Sequence, residues 1–168
     1  MQQQYVIHAH YDELYRFVYY LVGDTYTANE IVQDTFVKFI QLNRSVEQPR
    51  AYLFKMARNI VNDYYRRKKL LQFVPFLSSH ERPSAEQPDG LVIETERNQQ
   101  LYKALQQIKR HYREAIVCRY IYELSVSECA AILNCTEAQV KNHTSRGLKA
   151  LRNILGEVES DEHWKRPS

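Results

Sequence analysis

The sequence predicts an all-α chain: two small helical domains joined by a flexible linker, the second ending in a helix-turn-helix. Three observations predict it. Glycine occurs 4 times and proline 5 times in 168 residues, too few for the many tight turns of an all-β chain. Apolar residues, 44% of the chain, recur at helical spacing in two separate blocks. Between the blocks the periodicity breaks across Pro75, Pro83 and Pro88, among polar and acidic residues, the composition of a linker. The expected limits are 1–70 for the first domain, 71–95 for the linker, 96–156 for the second domain and 157–168 for a disordered tail.

The first block reads as three helices. In Tyr11–Val22 the residues Leu14, Phe17, Val18, Leu21 and Val22 fall on one face, and Gly23-Asp24 ends the run. Thr27-Ala28-Asn29-Glu30 has the form of a capping box for a second helix reaching about Leu42, with Val32, Phe36, Phe39 and Ile40 inward. Pro49 opens a third helix, where its missing N–H costs nothing. Leu53, Met56, Ala57, Ile60 and Tyr64 line its expected inner stripe. Phe73, Val74, Phe76 and Leu77 then form an apolar patch that could anchor the start of the linker.

Helical spacing resumes near Glu96 with Leu101, Leu105 and Ile108. Tyr112–Tyr122 gives the next helix, with Ile116, Val117, Tyr120 and Ile121 inward. Ser125-Val126-Ser127-Glu128 and Thr136-Glu137-Ala138-Gln139 are two further capping boxes. Asn134-Cys135 connects the helices they start, and Asn tolerates the left-handed conformation of a tight turn. A short capped helix, a tight turn and a long helix from Glu137 to about Leu155 form a helix-turn-helix.

Charge sharpens this reading. The net charge is only +3. Yet residues 1–70 carry 10 Lys/Arg against 7 Asp/Glu, and residues 98–156 carry 9 against 4, while the linker and the tail are acidic. Two basic blocks suit a polyanion such as DNA. On the last long helix Val140, Thr144, Gly147, Leu148 and Leu151 face inward. Ala138, Asn142, Ser145 and Lys149 face outward, flanked by Lys141, Arg146 and Arg152. Short and amide side chains suit base edges, and cations suit phosphates. The third helix repeats the pattern with Lys55, Arg58, Asn59, Asn62, Arg66 and Lys69, and ends in Arg66-Arg67-Lys68-Lys69. The second helix differs: Glu30, Gln33, Asp34, Val37 and Gln41 form an outer face in which an exposed valine sits among carboxylates, the pattern of a protein interface.

Enzyme signatures are poor. The sequence has no glycine-rich phosphate loop, no H-E-x-x-H and no G-x-S-x-G. Cys118, Cys129 and Cys135 form no C-x-x-C pair and read as reduced core thiols. His8 and His10 are expected to be solvated near a frayed terminus. A metal or redox protein built on His8, His10, Glu13 and the cysteines therefore has no paired motif behind it. No run approaches the ~18 apolar residues of a membrane span, and the N-terminus lacks the form of a signal peptide, so a cytoplasmic protein is expected. Metal, cofactor, small-molecule substrate and catalytic residue are all expected to be absent.

These motifs together resemble the extracytoplasmic function (ECF) sigma factors of bacterial RNA polymerase. Thr27-Ala28-Asn29-Glu30-Ile31-Val32-Gln33-Asp34-Thr35-Phe36 is similar to the helix of their conserved region two. Arg50–Asn59 with Asp63 and Arg66-Arg67 is similar to the next helix. Tyr112–Ala115, Leu124-Ser125, Ala130, Ile132-Leu133 and Val140 through Leu151 resemble region four. The resemblance covers roughly residues 8–156. It implies a dissociable promoter-specificity subunit without a catalytic site. It implies that Glu30, Gln33, Asp34 and Val37 dock on the clamp helices of the largest subunit of the polymerase core. It implies that Asn43, Arg44, Arg58, Asn59, Asp63 and Arg66 read the −10 element, whose unstacked base region two captures. The −35 element would then be read by Ala138, Gln139, Asn142, Ser145 and Arg146, with Lys141, His143 and Lys149 on phosphates. The resemblance also implies an anti-sigma partner. Thr27 and Asn29 stand where the family usually has acidic residues, Asn134 where it often has Gly, and His143 and Leu148 where arginine is common. The alternative from the residues alone is an autonomous helix-turn-helix regulator, which accounts for residues 98–156 and leaves the first block unexplained.

Overall fold

The computed structural model is all-helical and describes residues 2–71 and 96–158. Seven α-helices follow in order: α1 Gln2–Val22, α2 Thr25–Gln41, α3 Pro49–Leu71, α4 Glu96–Gln107, α5 Arg110–Ile116, α6 Val126–Leu133 and α7 Glu137–Val158. A π-helical turn, Val117–Ile121, continues α5. The apolar patch Phe73–Leu77 and nearly all of the linker and tail read from the sequence lie outside the described residues. Only the ends of α3 and α7 reach into them. Contacts divide the chain into two compact units.

In the first unit α1, α2 and α3 each pack on the other two. α1 starts at Gln2, well before the Tyr11 expected from its periodicity. The early residues are compatible with helix, and Val6, Ile7 and His10 are half-buried, continuing the inner stripe one to two turns upstream. Gln3 Nε2 also donates to Ile40 O at 3.2 Å, fastening the new N-terminal turns to the end of α2. His10 is consequently not solvated: it is half-buried, and its Nδ1 lies 3.7 Å from Glu13 Oε2. His8 is exposed on the same helix.

The capping box expected at Thr27–Glu30 does not form. Gly23 takes φ 74° and its N–H reaches Tyr19 O at 2.9 Å, closing α1 with a left-handed turn that suits glycine. The next residue, Asp24, caps α2: its Oδ2 accepts the Thr27 N–H at 2.9 Å and also the Thr27 hydroxyl. Thr27 thus lies inside the first turn, 1% exposed. Asp is as good a cap as Thr, and it stands where the chain leaves the Gly23 turn.

The core centres on Phe17 and Phe54, stacked at 4.3 Å and both essentially inaccessible. Burial of each contributes about 1.5–3 kcal/mol. Around them lie Leu14, Val18, Leu21, Ala28, Val32, Leu53, Ala57 and Val61. The expected stripes are slightly rotated. Ile40 is 45% exposed rather than inward, and Met56 and Tyr64 are half-buried while Phe54 and Val61 take their place. Arg50 Nε donates to Glu13 Oε1 at 2.7 Å and Tyr65 OH donates to Leu21 O at 2.9 Å, tying α3 to α1 at two levels.

In the second unit α5 packs on α7, and α4 packs on both. The Arg113 side chain is 8% exposed and joins α4 to α5 by donating to Gln106 Oε1 at 3.0 Å and Ile108 O at 3.4 Å. Glu114, 2% exposed, lies 3.5 Å from Arg110 Nε. The π-helical turn holds one extra residue per turn, which moves Tyr120 out of the expected inner stripe to 51% exposure. It closes with Tyr122 N–H to Val117 O at 3.1 Å and Leu124 N–H to Cys118 O at 3.0 Å, with Glu123 left-handed at φ 53°. Cys118 and Cys129 are buried, Cys135 is half-buried, and all three are free thiols. A hydrogen bond with Cys118 holds the Cys129 thiol below its ordinary pKa, against burial, which pushes it up.

Candidate nucleic-acid and protein interfaces

The helix-turn-helix forms as the sequence spacing requires. Ser125 Oγ accepts the Glu128 N–H at 3.1 Å, and Glu128 Oε2 accepts the Ser125 N–H at 3.4 Å, opening α6. Thr136 Oγ1 accepts the Gln139 N–H at 3.1 Å, and Gln139 Oε1 accepts the Thr136 N–H at 2.9 Å, opening α7. Between them Asn134 sits at φ 52° and the Cys135 N–H reaches Ala130 O at 3.1 Å. The two caps satisfy amide donors that a helix start otherwise leaves orphaned.

On α7 the sequence-assigned residues share one surface. Ala138, Gln139, Lys141, Asn142, Ser145, Arg146 and Lys149 are exposed, while Val140, Thr144, Gly147 and Leu151 are buried. The arrangement offers short and amide groups between three cations, none of which makes an ion pair among the described residues. The Gln139 oxygen is committed to the cap, so its readout is limited to the amide donors. His143 stands apart: it is half-buried, with its ring 4.7 Å from His111 and 5.9 Å from Tyr112 of α5. Gly147, one turn on, explains the closeness. A Cβ there would meet Ile116 Cδ1 at 2.6 Å and Tyr112 Cβ at 3.1 Å, so a larger residue would have to push the Ile116 side chain aside and move α7 slightly off α5.

In the first unit the loop 42–48 carries Asn43 and Arg44, both exposed. Asn43 is left-handed at φ 48°. Arg44 Nη2 donates to Tyr52 OH at 3.1 Å, and its guanidinium carbon lies 5.8 Å from the centre of that ring. Below the loop opens a cavity of about 370 Å³, lined in part by Gln3, Val6, Phe39, Asn43, Arg44 and Val46. An aromatic floor, an amide and a guanidinium are groups that can stack on and hydrogen-bond an unpaired base. Arg58, Asn59, Asp63 and Arg66 lie apart from this loop, along α3. Arg58 is half-buried and Asn59 exposed. Arg66 donates to Asp63 Oδ1 at 2.7 Å, a solvent-exposed pair worth little that nevertheless directs both side chains along the helix.

The outer face of α2 is separate again. Glu30, Gln33, Asp34 and Val37 are all exposed, Val37 by 53%. The structure adds Tyr26 and Ile40, 58% and 45% exposed, one turn before Glu30 and one turn after Val37. Sequence reasoning missed both. The spacing 26-30-33-37-40 carries the signal for them, masked by the inward assignment of Ile40. Tyr52 and His111 were also missed. Neither has a sequence signal, because their contacts with Arg44 and His143 cross between elements.

Among the described residues no cluster of three or more His, Cys, Asp or Glu could hold a metal ion, and no helix is long and apolar enough to cross a membrane.

Comparison with known proteins places the chain in a family. Residues 6–70 match the model of Sigma-70 region 2, and residues 98–151 match that of Sigma-70, region 4. All the α2, loop and α3 candidates fall in the first match, and all the α7 candidates fall in the second. The chain is 27% identical over 155 residues to the ECF RNA polymerase sigma factor SigX of Bacillus subtilis, covering 88% of this chain and 80% of the relative. It is 26% identical over 168 residues to SigW of the same organism, covering 91% and 88%. The fold matches that of the sigma factor RpoE of Bartonella quintana, solved in complex with the anti-sigma factor NepR. The TM-score is 0.70 at 24% identity, covering 92% of this chain and 94% of that one.

Proposed function

The chain belongs to the sigma-70 family as an ECF sigma factor, a non-enzymatic subunit that directs RNA polymerase to promoter-specific initiation, and from that premise we propose which of its surfaces carries each task. The helix-turn-helix of α6 and α7 reads the −35 element. Ala138, Gln139, Asn142, Ser145 and Arg146 face base edges; Lys141, His143 and Lys149 face phosphates. The observation that carries this is the pair of reciprocal caps flanking left-handed Asn134, which sets α7 with its amide and cationic face in solvent.

The loop 42–48 captures an unstacked base of the −10 element. Asn43 and Arg44 contact it, and Phe39 and Val46 line the cavity it enters. Arg58, Asn59, Asp63 and Arg66 follow the strand along α3. The outer face of α2 docks on the clamp helices of the polymerase core through Glu30, Gln33, Asp34 and Val37, with Tyr26 and Ile40 extending the apolar part of the contact. The two domains are residues 1–70 and 96–156, joined by the linker 71–95, with 157–168 as a tail. The protein works in the cytoplasm, where the polymerase is, and is held in check by an anti-sigma protein, as the Bartonella quintana relative is bound by one.

Run-off transcription on fragmented host DNA tests the reading, with core polymerase alone and with this protein added. New, discrete start sites sharing two upstream elements are expected. Absence of stimulation alongside direct duplex binding would point instead to an autonomous regulator.

A further inference from the structure

We infer that Gln3 of α1 is a specificity-determining residue for the captured base, selecting one that presents an exocyclic amine. The inference rests on the reading of the loop cavity as the base-capturing site. That cavity, about 370 Å³, is lined from separate parts of the chain. The loop contributes Asn43, Arg44 and Val46, and the first two turns of α1 contribute Gln2, Gln3 and Val6. Those turns precede the stripe that starts at Tyr11, so this wall exists because α1 begins at Gln2. Phe39 of α2, 4% exposed, also lines the cavity. A volume at the low end for small-ligand sites, apolar walls and several amides suit a single nucleobase.

Stacking on aromatic and apolar groups accepts any base, so a flipped base is told apart by the hydrogen bonds of its edge. Three amides line the cavity, those of Gln2, Gln3 and Asn43. Gln3 is the one whose orientation a hydrogen bond fixes: its Nε2 donates to Ile40 O at 3.2 Å. A backbone carbonyl only accepts, so the nitrogen is the end turned to α2, and Oε1 is the end left for a molecule in the cavity. That oxygen has no other partner among the described residues. Gln2 and Asn43 are exposed and make no side-chain hydrogen bond there, so either end of their amides can turn to a base. Arg44 carries donors only and cannot recognise an amine. A fixed acceptor meets the N4 amine of cytosine or the N6 amine of adenine. It repels O4 of thymine or O6 of guanine in the same place. Gln3 thus separates amino bases from keto bases, while Asn43 and Arg44 hold whichever base enters.

The test uses the full chain assembled with polymerase core, on a promoter recovered by run-off whose −10 element is left single-stranded on the non-template side. An abasic scan of that element locates the captured base as the position whose loss weakens binding most. The base there is then set to cytosine, thymine, adenine or guanine, and each affinity is measured. Wild type should prefer cytosine to thymine, and adenine to guanine, by about tenfold. Gln3→Met keeps a long side chain and a good helix former but has no amide acceptor, and should remove most of that preference. Gln3→Lys puts a donor in the same place and should reverse it. Gln4→Met changes an exposed residue outside the cavity lining and should leave it unchanged. A wild type that prefers keto bases, or has no preference, overturns the inference, as does a preference that survives in Gln3→Met. Arg44→Ala separates the two readings. If it weakens binding while the base preference ignores Gln3, the loop is at the DNA and only the Gln3 inference falls. If Arg44→Ala has no effect, both fall.

Discussion

Asp24, rather than the Thr27–Glu30 pair, starts α2, and the two arrangements predict opposite results for two alanine substitutions. In the structure the Asp24 carboxylate accepts the Thr27 N–H at 2.9 Å and the hydroxyl of the same residue, which is 1% exposed. Asp24→Ala removes an N-cap, about 1 kcal/mol. It also strips a buried hydroxyl of this acceptor, roughly 1 kcal/mol more. A loss near 2 kcal/mol in a small helical unit lowers its melting temperature by roughly 8–15 °C. Asp24→Asn keeps an oxygen in place and should cost little. Glu30 is exposed and lies beyond the capped turn, so Glu30→Ala should stay within about 0.5 kcal/mol of wild type. The assay is hydrogen exchange of the full chain, read on peptides from α2. Asp24→Ala should speed exchange there by roughly 10–30-fold, with α7 peptides unchanged. A larger effect from Glu30→Ala than from Asp24→Ala would refute the cap assignment and restore the capping box.

Glu30 should instead matter for association. Asp34→Lys reverses charge in the middle of the α2 face and should abolish co-purification with core polymerase at unchanged helicity; wild-type binding would remove that face from the interface. Asn142→Ala should change which −35 sequences are preferred, by about 1–3 kcal/mol at one position. Lys141→Ala should lower affinity evenly and reduce the salt slope by about 0.9; the reverse pattern, seen in binding titrations across salt and sequence, would exchange the two roles. Glu123 occupies a left-handed position at φ 53° before α6. Glu123→Gly should therefore stabilise the second unit by about 1 kcal/mol, visible as a higher denaturant midpoint, and a destabilisation would mean that its side chain holds the turn.

The legible features were local ones. Both helix-turn-helix caps, the Asn134 turn, the Pro49 start and the outward face of α7 follow from residues three or four apart. Such contacts are set by helix geometry before any packing. The same locality made the errors intelligible. Thr27–Glu30 has the form of a capping box, but Gly23 and Asp24 compete for the same helix start and prevail. The stripe containing Ile40 is set by where Phe39 meets Tyr52, 6.4 Å away on α3.

The sequence by itself determined the all-helical class, the family and the exposed polar and charged faces of α2 and α7, because periodicity and caps write them into short segments. Tertiary structure alone decided that Arg44 rests on Tyr52 above a cavity, that Tyr26 and Ile40 join the α2 face, and that His143 leans on His111. Each of these depends on how closely two helices approach or how a stripe is rotated. That is decided by packing, in the last case by the α5–α7 contact in which Gly147 lies close against Ile116 and Tyr112, which no one helix specifies.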